Sequence, residues 1–221
     1  MIPLRDDNPT RTFAFITVAL ILANVAVFLY EVTLPPEVVP AFFADFALTP
    51  AHLTGARNPN VFATPLTSMF LHGGWMHLIG NMLYLWIFGN NIEDACGHIR
   101  FIFFYLLAGL AAAGAQIAIN PHSTVPMVGA SGAISGVLGA YLLLYPRARV
   151  LVMLPIFIFI RFFYVPAFLL LLVWFGMQLL SGWATVGNDG GGVAFWAHIG
   201  GFAAGMMLIP FFKRRSVRLF Q

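Results

Sequence analysis

Charged residues are scarce in this 221-residue sequence: Asp, Glu, Lys and Arg make up 9% of it, whereas hydrophobic residues make up 60%. So little charge excludes a soluble globular protein and indicates a protein that crosses a membrane several times. A helix needs about 20 apolar residues to cross a hydrocarbon core of about 30 Å, so the chain has room for about six spans. We expect no large soluble domain within these residues.

Cysteine and clusters of acidic residues are also nearly missing. The single cysteine, Cys96, excludes an internal disulfide bond. No group of carboxylates falls within the apolar segments, and His72 and His77 would lie about 140° apart around a helix, which is a poor arrangement for a metal site. We therefore expect no bound metal. The lack of an internal repeat argues against an inverted-repeat transporter.

Six apolar segments predict the membrane helices; they cover residues 13–30, 75–88, 101–119, 130–145, 165–180 and 193–212. This pattern is typical of an all-α polytopic membrane protein built as a helical bundle. A further apolar run at 150–160 is split by Pro155, which disfavours a continuous helix. We interpret that run as a membrane-associated hairpin or as a lead-in to the fifth helix.

Positive charge is unevenly distributed between the loops. If both termini are cytoplasmic, ten of the eleven Lys and Arg residues lie on the cytoplasmic side and only Arg57 lies outside, in agreement with the positive-inside rule. We therefore expect a cytoplasmic N-terminus (1–12), a six-helix membrane domain (13–212) and a basic cytoplasmic tail (213–221). We expect a bacterial cell (inner) membrane location, with lipid headgroups and no nucleic acid as partners of the basic residues.

Few strongly polar side chains fall inside the apolar segments, where each is costly to bury and is a candidate for function. They are Asn24, His77, Asn81, Gln116, Ser131, Ser135, Gln178 and His198. We assign Asn24, Gln116 and Gln178, which are isolated in their segments, to hydrogen bonds between helices. His77 and Asn81 are four residues apart and therefore share one helix face.

Glycine marks one face of the fourth and of the sixth predicted helix. These faces begin beside Ser131 and His198 and contain Gly132, Gly136, Gly139, Gly201 and Gly205. Such faces let two helices approach closely in lipid. Tight packing alone would explain the glycines, but not a serine and a histidine at the outer ends of the two faces. Close packing would bring the His198 ring within about 2.6–3.2 Å of the Ser131 hydroxyl.

The fourth helix is too short to cross the bilayer, since about 16 residues reach only roughly 24 Å. Its start at Ser131 is therefore expected to be submerged, in a water-filled cavity. A helix N-terminus offers unpaired backbone N–H groups to an oxyanion, and His77 and Asn81 would add side-chain donors. A nucleophile, a base and oxyanion donors indicate acyl transfer through a serine, by a Ser–His dyad because no acidic residue lies at this depth.

Three motifs resemble those of the rhomboid family of intramembrane serine proteases. They are HGGWMHLIGNM, GASG and AHIGG, and the match runs from about residue 62 to residue 205. The resemblance implies a six-helix core that cleaves transmembrane segments of other membrane proteins, without a metal or organic cofactor. It implies Ser131 as nucleophile, His198 as general base and acid, and an oxyanion hole formed by His77, Asn81 and the backbone N–H of Ser131. It further implies that Gly129 leaves room for substrate backbone, and that the fifth helix and the loop at 187–192 are routes of substrate access.

The sequence departs from the family pattern at two points. Some members have an aromatic residue four positions after the nucleophile, beneath the histidine, where this chain has Ser135. Some also have a Trp-Arg pair in the first external loop, which is missing here. Glu93 resembles a common acidic position of the family, and we interpret it as a structural tie between the inner loop and a helix end.

Two rival functions stay open. One is a catalytically inactive rhomboid-like protein that binds or chaperones membrane proteins; such relatives typically lose the serine or the histidine. The other is a small-solute transporter or channel, which would need paired charges along a pathway through the membrane. The sequence specifies neither the substrate nor the oligomeric state.

Overall fold

The computed structural model describes residues 1–55, 59–156, 159–184 and 193–221. Arg57 and the glycine-rich loop at 187–192, which is the predicted access route, lie outside the described residues.

The described part of the chain is mostly helical. Its ten α-helices are α1 (Phe15–Glu31), α2 (Val39–Phe46), α3 (Pro50–Thr54), α4 (Thr64–Thr67), α5 (Trp75–Tyr84), α6 (Asn90–Cys96), α7 (His98–Ile119), α8 (Ser131–Leu144), α9 (Ala167–Ala184) and α10 (Phe195–Phe212). Each predicted apolar segment coincides with one of α1, α5, α7, α8, α9 and α10, with ends that differ by four residues or fewer. A π-helical turn at Leu85–Gly89 joins α5 to α6.

Three of these helices are long and apolar enough to cross a membrane, namely α7, α9 and α10. The helices α1 and α8 are apolar but shorter. The submerged start of α8 and the count of six spans stay predictions, since they depend on where the bilayer lies.

The expectation of an all-α chain is wrong in one respect, because the structure contains a three-stranded antiparallel sheet. Its strands are β1 (Ile2–Asp6), β2 (Arg149–Ile156) and β3 (Phe159–Pro166), in the order β1-β2-β3. Valine, isoleucine and aromatic residues favour strands over helices in β2 and β3, and Pro155 has no N–H for a helix. Within the run at 150–160, the described residues thus belong to the antiparallel strands β2 and β3, in place of a lead-in to the fifth helix. Apolar side chains of β3 are exposed, and their contact with the membrane stays a prediction.

Glycines form the contact between α8 and α10. A Cβ on Gly201 would overlap the carbonyl oxygen of Gly132, and a Cβ on Gly205 would overlap the carbonyl oxygen of Gly136. Gly139 likewise faces the α10 backbone. Since the contacts of Gly132 with Gly201 and of Gly136 with Gly205 advance by four residues on both helices, α8 and α10 run in the same direction and begin at the same end of the molecule.

The helix α7 completes this tightly packed centre through small side chains. A Cβ on Gly132 would lie 2.7 Å from the Cβ of Ala112, and a Cβ on Gly136 would lie 2.5 Å from the Cβ of Ala108. Small residues on all three helices therefore allow the backbones to lie close together, as expected where helices pack in lipid.

Glu93 joins α6 to the start of α1. This agrees with its interpretation as a structural tie between the inner loop and a helix end. Its fully buried carboxylate accepts the backbone N–H groups of Ile16 (2.9 Å) and Thr17 (2.7 Å) and the Thr17 hydroxyl (2.7 Å). The ring of His98 lies 2.5 Å from the same carboxylate. These bonds satisfy backbone donors that the first turn of a helix leaves unpaired.

Nearby, burial raises the pKa of the Cys96 thiol to about 12, which makes this cysteine inert.

Candidate active site

A cavity of about 670 Å³ opens between α5, α8, α9, α10 and the connection that leads from α7 to α8. Its polar lining includes His77, Asn81, Gln116, Ser131 and His198. Most of the polar side chains singled out at membrane depth therefore share one cavity, although they come from four different helices.

Ser131 and His198 meet where two helices begin. Ser131 is the first residue of α8, and His198 lies in the first turn of α10. The Ser131 Oγ and the His198 Nε2 are 2.8 Å apart, which is hydrogen-bond distance. The parallel, glycine-lined packing of α8 and α10 accounts for this contact, because it brings the two helix starts together.

Gly129 shapes the backbone just before Ser131. Its φ of +114° is a conformation that only glycine adopts readily. A Cβ there would also lie 2.7 Å from the Nε2 of His77 and 3.4 Å from the Nδ2 of Asn81. The space that the resemblance reserves for substrate backbone is therefore bordered directly by the His77 ring.

His77 and Asn81 face the start of α8 from α5, and each has an N–H available. The backbone N–H of Gly73 points at the Nδ1 of His77 over 3.4 Å. An Nδ1 that accepts this N–H leaves the ring hydrogen on Nε2, the atom beside Gly129. The Nδ2 of Asn81 is buried and has no hydrogen-bond partner within the described part of the chain.

The His77 ring contacts another histidine, His72, which is buried. The rings of His72 and His77 meet edge to face, with centroids 5.2 Å apart. Burial, with His77 nearby as the lesser cause, lowers the pKa of His72 to about 4. His72 is therefore neutral near pH 7 and adds no charge beside the candidate oxyanion donors.

Over the described residues, no three His, Cys, Asp or Glu side chains are grouped so that they could hold a metal ion.

A family model described as a rhomboid domain matches residues 59–215. The chain belongs to the rhomboid family. Members of this family are generally intramembrane serine proteases that act on transmembrane substrates within the bilayer. The apolar helices and the family together establish a membrane protein of the rhomboid type.

Three relatives illustrate the extent of the similarity. The chain is 33% identical over 146 residues to "Rhomboid protease GluP" of Bacillus subtilis, which covers 62% of this chain and 25% of that protein. It is 34% identical over 145 residues to "RHOMBOID-like protein 4" of Arabidopsis thaliana, with 65% and 32% covered. It is 31% identical over 149 residues to "Rhomboid protein 1, mitochondrial" of Saccharomyces cerevisiae, with 63% and 39% covered. This rhomboid chain therefore matches between a quarter and two fifths of the length of these relatives.

In this rhomboid domain, the support of His198 comes from α9. The His198 Nδ1 lies 2.8 Å from the Oε1 of Gln178, and the ring of Trp174 lies beside the imidazole, with centroids 6.0 Å apart. Ser135 instead donates its hydroxyl to the carbonyl oxygen of Ser131 within its own helix, at 2.7 Å. This arrangement was not predicted from the sequence; the signal for it is the spacing of four between Trp174 and Gln178, which places both on one helix face.

The other two isolated amides behave differently from each other. The Oε1 of Gln116 in α7 accepts the backbone N–H of Ala197 in α10, at 3.2 Å, so its predicted interhelical bond is confirmed. Asn24 donates to the carbonyl oxygen of Leu20 in its own helix, at 2.8 Å. Gln178 does bond across helices, but to a side chain that lines the cavity.

Proposed function

We propose that this rhomboid protein is an active serine endopeptidase that cleaves transmembrane segments of other membrane proteins through a Ser131–His198 dyad. The 2.8 Å contact between the Ser131 Oγ and the His198 Nε2, inside a cavity among apolar helices, carries the proposal. Nucleophile and base at hydrogen-bond distance are the arrangement that covalent catalysis by serine requires.

The proposed reaction has two steps. As the Ser131 Oγ attacks the scissile carbonyl carbon, the His198 Nε2 takes its proton. The tetrahedral intermediate then collapses, the C–N bond breaks, and His198 returns the proton to the leaving amine. A water molecule releases the acyl group from Ser131 by the same sequence of proton transfers, which regenerates the free hydroxyl.

Three N–H groups are suited to stabilise the oxyanion of the intermediate: His77 Nε2, Asn81 Nδ2 and the backbone N–H of Ser131. The buried Nδ2 of Asn81, which has no partner among the described residues, supports this role, because a buried donor without a partner is costly in the resting protein. The donor gains an acceptor when negative charge develops beside it. The cost of the unpaired donor is therefore relieved in the intermediate, which favours its formation.

The membrane arrangement is part of the proposal. The segment 1–12 and the basic tail 213–221 are cytoplasmic, and 13–212 form six spans in a bacterial inner membrane. The start of α8 is submerged, so that water reaches Ser131 through the cavity. Under this topology the N-terminal ends of α8 and α10 face the outer side, where a transmembrane substrate is cut.

A rhomboid-like protein without proteolytic activity is the remaining alternative. It would bind transmembrane partners without any need for a hydrogen bond between Ser131 and His198. The presence of both residues, already in contact, supports the protease.

The test is cleavage of a substrate with one transmembrane segment in proteoliposomes by the wild type and by Ser131→Ala and His198→Ala variants. Ser135→Ala is a matched control, since it removes a hydroxyl one turn further along α8 that bonds the backbone carbonyl oxygen of Ser131. We expect cleavage by the wild type and by the control, and none by the two dyad variants. Cleavage by a folded Ser131→Ala variant would contradict the mechanism, and binding without cleavage by the wild type would favour the alternative.

A further inference from the structure

A dyad needs its histidine held in one orientation and in one tautomer. If the hydrogen of neutral His198 were on Nε2, that atom would donate to Ser131 and could not take its proton. In this chain Ser135 stands where some rhomboids have a supporting aromatic residue, and its hydroxyl bonds the backbone. The support of His198 must therefore come from another element.

Two side chains of α9 meet the His198 ring. The amide oxygen of Gln178 lies 2.8 Å from Nδ1, while the Trp174 ring is tilted by 35° to the imidazole at a centroid distance of 6.0 Å. Trp174 also lies 6.1 Å from the ring of Phe202, one turn further along α10. The Trp174 ring thus lies on one side of the imidazole. Gln178 bonds Nδ1, while Nε2 faces Ser131.

The amide oxygen determines where the ring hydrogen sits. It has lone pairs and no hydrogen, so a bond to Nδ1 requires that Nδ1 carries the hydrogen. The lone pair of Nε2 is then free to accept the Ser131 proton. We infer that Gln178 is the positioning residue of the proposed dyad, holding neutral His198 as the Nδ1–H tautomer with Nε2 directed at Ser131.

A neutral amide suits this site better than the carboxylate of a catalytic triad. A carboxylate among apolar helices is costly unless it is paired with a positive charge. His198 carries such a charge only during the reaction, so a carboxylate would be unpaired in the resting protein. An amide supplies the orienting hydrogen bond without that cost, and it stabilises the transient imidazolium through its dipole.

The competing interpretation is that Gln178 merely joins α9 to α10. The chain offers a matched control, because Gln116 is also a glutamine whose oxygen bonds α10, but at the backbone N–H of Ala197. If both residues only join helices, Gln178→Met and Gln116→Met should alter stability and leave the His198 ring unaffected. If Gln178 positions the ring, only its substitution changes the tautomer.

The experiment is nitrogen NMR of the full chain labelled with ¹⁵N-histidine, in lipid, with the His198 signals assigned by their loss in His198→Ala. We expect a protonated Nδ1 and an unprotonated Nε2 in the wild type and in Gln116→Met, and a mixture of tautomers in Gln178→Met. A neutral wild-type ring with its hydrogen on Nε2 would overturn the inference without any variant. So would a Gln178→Met ring with the wild-type tautomer.

Kinetics of the same proteins supply the second readout. Loss of one hydrogen bond to a group that becomes charged should lower kcat of Gln178→Met by about 10- to 100-fold, with KM little changed. Gln178→Glu keeps an acceptor oxygen at the same length and should recover most of this loss. The acid side of its rate–pH profile should also move to higher pH, because a carboxylate favours the imidazolium. Among the described residues, His77 is a titratable group that acts on the ring, and it is unchanged in these variants.

The role of Gln178 rests on the proposed function, but the two can fail separately. Absence of cleavage by the wild type, with the Nδ1–H tautomer present and lost in Gln178→Met, would overturn the protease and leave the contact established. Cleavage that needs Ser131 and His198 but is equal in wild type and Gln178→Met would overturn only the role of Gln178. A Gln178→Glu variant whose ring shows the Nδ1–H tautomer but which is no more active than Gln178→Met would do the same.

Discussion

The α-carbon of Gly205 in α10 faces the carbonyl oxygen of Gly136 in α8 so closely that a Cβ there would overlap it. Gly136 lies about one and a half turns after Ser131, and Gly205 lies about two turns after His198. Since the helices are parallel, a change in their separation at Gly205 also changes the separation of the two catalytic candidates. The packing at Gly136 and Gly205 therefore affects the proposed chemistry, although these glycines lie away from the contact between Ser131 and His198.

Substitution of Gly205 by alanine should push α8 and α10 apart. We expect Gly205→Ala to destabilise the protein by about 1–3 kcal/mol, as overpacking does, and to lower cleavage further by lengthening the contact between Ser131 and His198. Thermal unfolding in detergent and cleavage in proteoliposomes measure the two effects.

Gly114→Ala in α7 is the matched control for that substitution, because a Cβ at Gly114 would meet nothing within 4 Å in the parts of the chain that are described. There the same change should be neutral or stabilise by up to about 1 kcal/mol, since alanine is the better helix former. Equal effects of the two substitutions would show that helix propensity, and not the contact with Gly136, governs the result.

Asn81→Ala should separate catalysis from stability. The Nδ2 of Asn81 has no partner to lose in the part of the chain that the structure describes, so the unfolding temperature should change little. Loss of an oxyanion donor should nevertheless lower kcat by about a hundred- to a thousandfold. Steady-state cleavage in proteoliposomes measures it, with KM as the internal control. An unchanged kcat in the folded variant would assign Asn81 to a structural role.

The positions of the long helices follow from the sequence because they depend on local properties. An uncharged run of sufficient length predicts a helix in lipid whatever its neighbours are, and the glycine faces indicate which two helices pack most closely. The contact between Ser131 and His198 can be anticipated on this basis, since both residues stand at the beginning of such a face.

The sheet and the partner of Gln178 depend on relationships that one segment does not contain. The strand β1 pairs with β2 over a long sequence separation, Ile2 with Met153 and Asp6 with Val150. The five residues of β1 contain no pattern that predicts such a pairing. The identity of the group bonded by Gln178 depends on the rotation of α9 about its axis. A glutamine in an apolar helix looks the same in sequence whether it bonds a backbone N–H, as Gln116 does, or an imidazole.

Glu93→Ala should destabilise the protein without touching the cavity. It removes the acceptor for the backbone N–H groups of Ile16 and Thr17 and leaves these donors unpaired at the start of α1, at a cost of about 2–4 kcal/mol. The unfolding temperature in detergent measures this loss. Glu37→Ala is the control, because Glu37 is an exposed residue in the loop after α1, and it should change the unfolding temperature little. Equal unfolding temperatures for the Glu93 variant and the wild type would contradict the structural role.

Asp6 should make stability depend on pH. Burial raises the pKa of its carboxyl above the usual 3.8, with hydrogen bonds from Tyr141 and Asn91 opposing the shift and the charge of Asp7 adding to it. The Tyr141 hydroxyl donates to the Asp6 carboxylate at 2.5 Å and the Asn91 amide at 2.8 Å. Because the pKa is higher in the folded protein, the contribution of Asp6 to stability is complete below about pH 4 and is lost as the pH rises through the raised pKa.

The measurement is the free energy of unfolding in detergent as a function of pH, for the wild type and for Asp6→Asn, which cannot titrate. Their difference should change from about pH 4 upward, with the wild type losing stability relative to the variant as the pH rises, and should become constant above the raised pKa. Tyr141→Phe removes a hydrogen bond that favours the carboxylate, so the loss should extend to higher pH in that variant. Parallel curves for the wild type and Asp6→Asn would mean that the carboxyl titrates alike in the folded and unfolded chain, against the burial seen between β1, α6 and α8.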